Sequence, residues 1–221
     1  MIMGMTTLAD LWPPYRLRLR AGDLQLTVIS DDDVPGLVEL ALAGIHAPDA
    51  MPFSTPWTLA GPEKLPVDMV RYFSSVRAGF GPEAFDLLFA VRVGGELVGT
   101  QGLHGRDFAV TQTVETGSWL GLAHQGRGIG TRMRQAVCAY AFDELGAAEV
   151  TSGAFLDNPA SLAVSRKVGY RPNGVVRLKR RDGEMALNQK LVLTPGELRR
   201  GDPLEVIGAE DLRSFLGLGE P

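Results

Sequence analysis

Apolar residues recur along this chain in two rhythms, every second position and every third or fourth, and the changes between them mark its elements. Leu17 and Leu19 alternate with Arg16, Arg18 and Arg20; Ala21-Gly22-Asp23 then turns the chain and Leu24 to Ile29 alternates again, which predicts a hairpin. Ser30 to Asp33 offers helix caps, Pro35 suits a first helical turn, and Val34, Leu37, Val38, Ala41 and Leu42 share one helical face up to Gly44. The Asp31-Asp32-Asp33 run reads either as a cation site or as a solvated helix start, and the cap preferences favour the second. From His46 to Pro66, prolines and aromatics make an ordered loop of the kind that lines a pocket.

A second helix is predicted over Val67 to Ala78, then a strongly apolar strand from Asp86 to Val93, a Gly94-Gly95 turn and its partner strand from Glu96 to Leu103. Thr113 to Leu122 is a strand that enters a glycine-rich turn, and a long helix runs from about Gly128 to Leu145 with Gly146 as its stop. Val150 to Phe155 is a strand and Pro159 to Val168 a helix. Tyr170 to Val176 and Met185 to Leu193 form a last strand pair, with Arg177, Lys179, Arg180 and Arg181 assigned to the turn between them. The order ββααβββαβαββ predicts a mixed α+β domain over residues 15–195. An irregular arm (1–14) precedes it, and an extension (196–221) follows, with apolar residues for a short helix packed on the domain or on a partner. A simple doubly wound dinucleotide fold is excluded, because its glycine fingerprint would lie near the N-terminus.

Composition narrows the function only coarsely. Hydrophobic residues make up 45% and charged residues 22% of 221, the balance of an ordinary globular protein. The net charge of −4 argues against nucleic acid or an anionic membrane as the main partner. Cys138 is the only cysteine, which rules out an internal disulfide and a cysteine-based zinc site, and its apolar neighbours make it a buried structural thiol. His46, His104 and His124 are too scattered for a metal set, and no metal is expected; His104 ends a strand near the expected cleft and reads either as a substrate contact or, more plainly, as a surface histidine. There is neither a signal-peptide pattern nor an apolar run long enough to span a bilayer, so the expected location is the cytoplasm.

The turn Gln125-Gly126-Arg127-Gly128-Ile129-Gly130, ahead of Thr131, carries the chemistry. Glycines let backbone N–H groups approach a phosphorylated ligand, and the start of a helix favours anions. The turn is not a Walker motif, because no Gly-Lys-Ser/Thr follows, and it does not fit Gly-x-Gly-x-x-Gly. Asn158 caps the next helix or faces the same ligand.

Gln125-x-x-Gly128-x-Gly130 between a strand and a long helix resembles the acetyl-CoA loop of GNAT N-acetyltransferases. The run from Asn158 through Ser161, Ser165 and Lys167 to Gly169-Tyr170 is similar to that family's Asn-x-x-Ser-…-Lys-x-Gly-Phe/Tyr segment. Glu115-Thr-Gly-Ser-Trp119-Leu120 resembles the Glu-x-Gly-Tyr-Trp-Leu strand of the ribosomal-protein N-terminal acetyltransferase-like (RimJ/RimL-type) branch, with Ser118 in place of tyrosine. The resemblance covers about residues 15–193. It implies the GNAT fold: a twisted mixed sheet of about seven strands flanked by about four helices, with a V-shaped splay between two central parallel strands.

It also implies acetyl-CoA as cofactor, held by Leu120, Gly121 and Leu122 through β-like pairing and by Gln125, Gly126, Arg127, Gly128, Ile129, Gly130 and Thr131 at the pyrophosphate. Asn158 and Ser161 would hold it from the next unit, and Arg127 ranks above Arg132 as an added positive charge. Glu115 is the candidate base and Ser165 the candidate proton donor, against the plainer readings of a solvated charge and a packing residue. Phe53, Trp57 and Gln101 are expected to border the acceptor pocket. The implied activity is acetyl transfer by direct attack of a primary amine, on a protein N-terminus or a small molecule. The alternative is an inactive acyl-CoA-binding sensor of the same fold. The resemblance allows a homodimer.

Overall fold

The strand with the least alternation in the sequence, β3 (Ala84–Val93), lies well inside the sheet and is covered on both faces. Phe85, Leu87, Phe89 and Val91 enter one core, while Leu88 and Ala90 enter the other. A strand buried on both sides loses the in–out pattern that a half-exposed strand keeps. The computed structural model describes residues 6–219.

Around β3 the chain builds β1 (Arg18–Ala21), β2 (Leu24–Val28), β4 (Glu96–Arg106), β5 (Thr113–Leu120), β6 (Glu149–Phe155), β7 (Arg171–Arg181), β8 (Glu184–Leu193) and β9 (Glu205–Ile207). Their order in the single sheet is β7-β8-β6-β5-β4-β3-β2-β1-β9. Every pairing is antiparallel except β5 with β6. The helices are α1 (Leu8–Leu11), α2 (Val34–Ala43), α3 (Lys64–Ala78), α4 (Phe108–Thr111), α5 (Ile129–Asp143), α6 (Pro159–Val168) and α7 (Ala209–Phe215). Helix α5 presses Ile129, Met133, Val137, Cys138 and Tyr140 onto one face of the sheet, and α2 and α3 place Leu37, Leu65 and Met69 on the other. None of the described helices is long and apolar enough to cross a membrane.

The mixed α+β class expected from the element order holds, with nine strands among the described residues rather than about seven. The segment after Pro195, read as a helix, supplies both α7 and the edge strand β9, which pairs with β1; Leu212 and Leu216 of this segment are buried in the α5-side core. In the N-terminal arm, read as irregular, Thr7 caps a short helix and Trp12 packs edge-on against Phe80 and Phe215 at 5.7 and 5.3 Å. The last turn is Asp182-Gly183, so Arg177, Lys179, Arg180 and Arg181 lie within β7 and not in the turn. The acidic run resolves as a cap: Asp33 accepts from the Ser30 amide at 2.8 Å and pairs with Arg92 at 2.5 Å. Cys138 is fully buried, and burial pushes its thiol up to about 11.

Candidate active site

Parallel β5 and β6 pair only over Thr113–Glu115 with Glu149–Thr151 and then part. Two hydroxyls close the vertex: Ser152 donates to the Thr116 carbonyl at 3.0 Å and Thr116 to that of Thr151 at 3.3 Å. Beyond it a cleft of about 1180 Å³ passes through the gap and reaches both faces of the sheet. The expected V-shaped splay is therefore present, and side-chain parity along β5 divides its chemistry.

On the α2/α3 side, antiparallel register sets Asp86, His104 and Glu115 in one row across β3, β4 and β5. His104 Nδ1 lies 2.8 Å from an Asp86 carboxylate oxygen, which Arg106 also approaches at 2.8 Å. Burial alone would raise the Asp86 carboxyl, but hydrogen bonds from His104 and Arg106 outweigh it and hold the group at about 2. With Nδ1 turned to Asp86, the imidazole presents Nε2 to the cleft. The ring lies above two glycines that face each other across β4 and β5: a Cβ on Gly102 would stand 2.6 Å from Nε2, and one on Gly117 would stand 3.7 Å away. An aromatic wall of Phe53, Trp57 and Trp119, with centroids 5.4 and 5.9 Å apart, lines the same cleft.

Because Asp86 is more acidic folded than its ordinary 3.8, the pairing stabilises the fold fully above that value and loses its effect as pH falls from about 4 towards 2. Asp86→Asn should accordingly melt below the wild type at neutral pH, with the gap closing by about pH 2. Thermal melts followed by circular dichroism across that range check this; a gap that persists at pH 2 would count against the pairing.

At the far end, Gly126 and Gly128 take positive φ of 72° and 80°, with open space where a side chain would stand. Among the described residues the amides of Gly126, Arg127 and Gly128 find no backbone acceptor, and Gly126, Gly128, Gly130 and Thr131 line the cleft. Open, donor-rich backbone ahead of a helix of 15 residues fits a pyrophosphate. Asn158 does cap α6, accepting from the Ser161 amide at 3.1 Å, and both residues also line the cleft.

The remaining expected site residues divide. Glu115, Phe53, Trp57, Leu120, Leu122 and Gln125 line the cleft. The Gln125 side chain is committed to the carbonyls of Ile45 and Leu120 and so ties the loop down. Gly121 and Leu122 give their amides to Val98 and Gly44, which withdraws them from the β-like pairing expected over Leu120–Leu122. The Ile129 side chain is core, and Arg127 is exposed and does not line the cleft; Arg132 is paired instead with Asp23 and Asp202.

Gln101 is a correction. It is fully buried on the opposite face of β4, donating to the Gly102 and Gly117 carbonyls, because pocket-lining positions on that strand are Thr100, Gly102 and His104. Ser165 is 1% exposed, donates to the Ser161 carbonyl at 3.0 Å, and does not line the cleft. The sequence reading missed the His104–Asp86 pair. A usable signal was present: two glycines and a glutamate at matching alternate positions of neighbouring strands. Arg180 was also misplaced; it reaches the cleft wall, held by Asp157 at 2.8 Å and Glu184 at 2.6 Å.

Residues 23–171 match the profile described as the Acetyltransferase (GNAT) domain. The chain belongs to the GNAT acetyltransferase family. Among its relatives, "Probable N-acetyltransferase YjcK" of Bacillus subtilis is 35% identical over 81 residues, 37% of this chain and 45% of that protein, so the match spans less than half the relative's length. The solved structure of Mycobacterium smegmatis RimJ in complex with CoA-disulfide superposes with a TM-score of 0.65 at 19% identity, covering 92% of this chain and 95% of that one. RimL, a ribosomal L7/L12 alpha-N-protein acetyltransferase in complex with coenzyme A, gives 0.62 at 17% identity, covering 79% and 95%. At such identities the superpositions establish the shared GNAT fold.

Proposed function

We propose that the protein is an acetyl-CoA-dependent N-acetyltransferase acting on a primary amine, of a protein N-terminus or a small molecule. The observation that carries this reading is a single cleft joining the open glycine loop to the Asp86–His104–Glu115 row through the splayed strands. When bound, acetyl-CoA supplies an activated acetyl group at a thioester. The loop amides would hold its phosphate end, Asn158 would bind it from the next unit, and the splay would leave room for its chain.

Glu115 at the open side of the row draws in a cationic amine, and the Phe53–Trp57–Trp119 wall offers it aromatic faces. His104, oriented by Asp86, takes the proton that the amine must lose before it attacks. Of the two side-chain types an imidazole is the better base at neutral pH, which gives His104 the proton and leaves Glu115 the attraction. The assignment is tested by incubating the protein with acetyl-CoA and a panel of amines and N-terminal peptides, reading free-thiol release and the mass gain of the acceptor. Thiol release tied to acetylation of an amine supports it. Acetyl-CoA binding without transfer to any amine would favour the acyl-CoA sensor instead.

A further inference from the structure

On the α5 side of the splay a guanidinium is buried with no anion beside it among the described residues. Arg134 is 4% exposed, and its partners are two neutral hydroxyls: Nη1 donates to Ser165 Oγ at 3.1 Å and Nη2 to Ser118 Oγ at 2.8 Å. Its Nε is buried with no partner among the described residues. Burying a charge without a counter-charge is strongly unfavourable, so this arrangement is satisfied only when something negative arrives. Arg134 and Ser118 both line the cleft.

The two hydroxyls differ in what their own protons do. Ser165 spends its proton on the Ser161 carbonyl within α6. Ser118 accepts from Arg134 and donates to no described residue, so its O–H is free to point into the gap. Parity along β5 puts Ser118 and Arg134 on one side of the gap and Glu115, Gly117 and His104 on the other.

We propose that Arg134 and Ser118 receive the departing thiolate of coenzyme A, with Ser118 hydrogen-bonding the sulfur and Arg134 supplying the countercharge. This takes over the role first sought in Ser165, and it rests on the acetyl-transfer reading. In the step, the bond from amine nitrogen to acetyl carbon forms and the carbon–sulfur bond breaks. The electron pair of the broken bond stays on sulfur. The ammonium's first proton passes to His104 and on to water before attack, the second leaves the nitrogen by the same route as the carbon–sulfur bond breaks, and the thiolate takes its proton from water after release, so Ser118 keeps its own. Nothing is oxidised. Amine deprotonation and thiolate departure thus occur on opposite faces of the sheet, which keeps the developing anion away from Glu115. Cys138 and Tyr170, behind Thr116, are driven upward by burial and stay neutral, while Lys167 of α6 and the Arg180–Asp157 pair line the cleft farther along.

The test compares binding of coenzyme A with binding of its desulfo analogue by calorimetry, in wild type, Arg134→Met and Ser118→Ala, from about pH 7 to pH 9. In the wild type the preference for the thiol should grow by about tenfold over that range, because the site favours the ionised sulfur. In Arg134→Met the preference should stay flat, in Ser118→Ala it should grow less, and turnover should drop by about 10²-fold or more in both. Arg134→Met should melt no lower than the wild type, since an unpaired buried charge is exchanged for an apolar side chain of similar length; a structural arginine would lower the melting point. Ser118→Ala removes no core packing and decides the matter if Arg134→Met fails to fold. Wild-type turnover and an unchanged pH response in the variants would overturn the proposal while leaving acetyl transfer intact. A wild type that binds neither acetyl-CoA nor coenzyme A would overturn both.

Discussion

His104→Gln should lower kcat for amine acetylation by about 10²- to 10³-fold while leaving acetyl-CoA affinity near the wild-type value. Glutamine keeps a polar group of similar reach but cannot accept and carry a proton at neutral pH. The imidazole stands over the paired Gly102 and Gly117, just past the point where β5 parts from β6, and Asp86 holds its other nitrogen at 2.8 Å. Loss of the base therefore strikes the proton transfer and not the binding of acetyl-CoA, whose phosphate end is held at the distant loop. Glu115→Gln should act differently, raising KM for a cationic amine by roughly tenfold with a smaller effect on kcat, because it removes attraction rather than the acceptor of the proton. Steady-state kinetics with free-thiol release separate the two. If Glu115→Gln abolishes kcat and His104→Gln does not, the roles are reversed and the glutamate is the base.

Gly169→Ala should be strongly damaging, destabilising the domain by roughly 3 kcal/mol and lowering the melting temperature by roughly 6–12 °C. Gly169 ends α6 with φ at +115°, a region side chains avoid, and its added Cβ would collide with the backbone carbonyl of Glu197. Neither side can give way easily. Glu197 is fixed by Thr194 and Arg171, and the next residues run on towards Arg199, whose amide donates to the Val168 carbonyl at 2.8 Å. Gly146→Ala is the matched control: φ is +77°, but nothing stands within 4 Å of the added carbon, so only the backbone cost of roughly 1 kcal/mol applies. Thermal melts of the two variants check the difference, and equal losses would show that the Glu197 contact yields.

What was legible in the chain itself follows the range over which each signal acts. Caps, turn glycines and apolar spacing work within a few residues, so the helices after Ser30, Gly128 and Asn158 and the hairpin at Gly94-Gly95 could be placed from local chemistry. The three motif segments around Glu115, Gln125 and Asn158 carried the family and the glycine loop, because each is contiguous. The tail shows the limit. Glu205–Ile207 is too short to announce a strand and becomes one only because β1 offers it an edge.

The chemistry of the cleft depended on facts that no local window contains. β4 has small or apolar residues on both faces, so its alternation does not tell which face meets the cleft. Register against β3 and β5 turns Gln101 inward and His104 outward, beside an aspartate 18 residues earlier. Packing of α5 and α6 beneath the splay decides that Ser165 is closed off while Arg134 and Ser118 meet at the gap. The sequence by itself determined the family, most of the longer elements and the glycine-rich loop, because those reside in short contiguous runs. Only the tertiary structure decided which side chains could touch the reacting atoms, because strand register and the parting of β5 from β6 set distances between residues far apart in the chain.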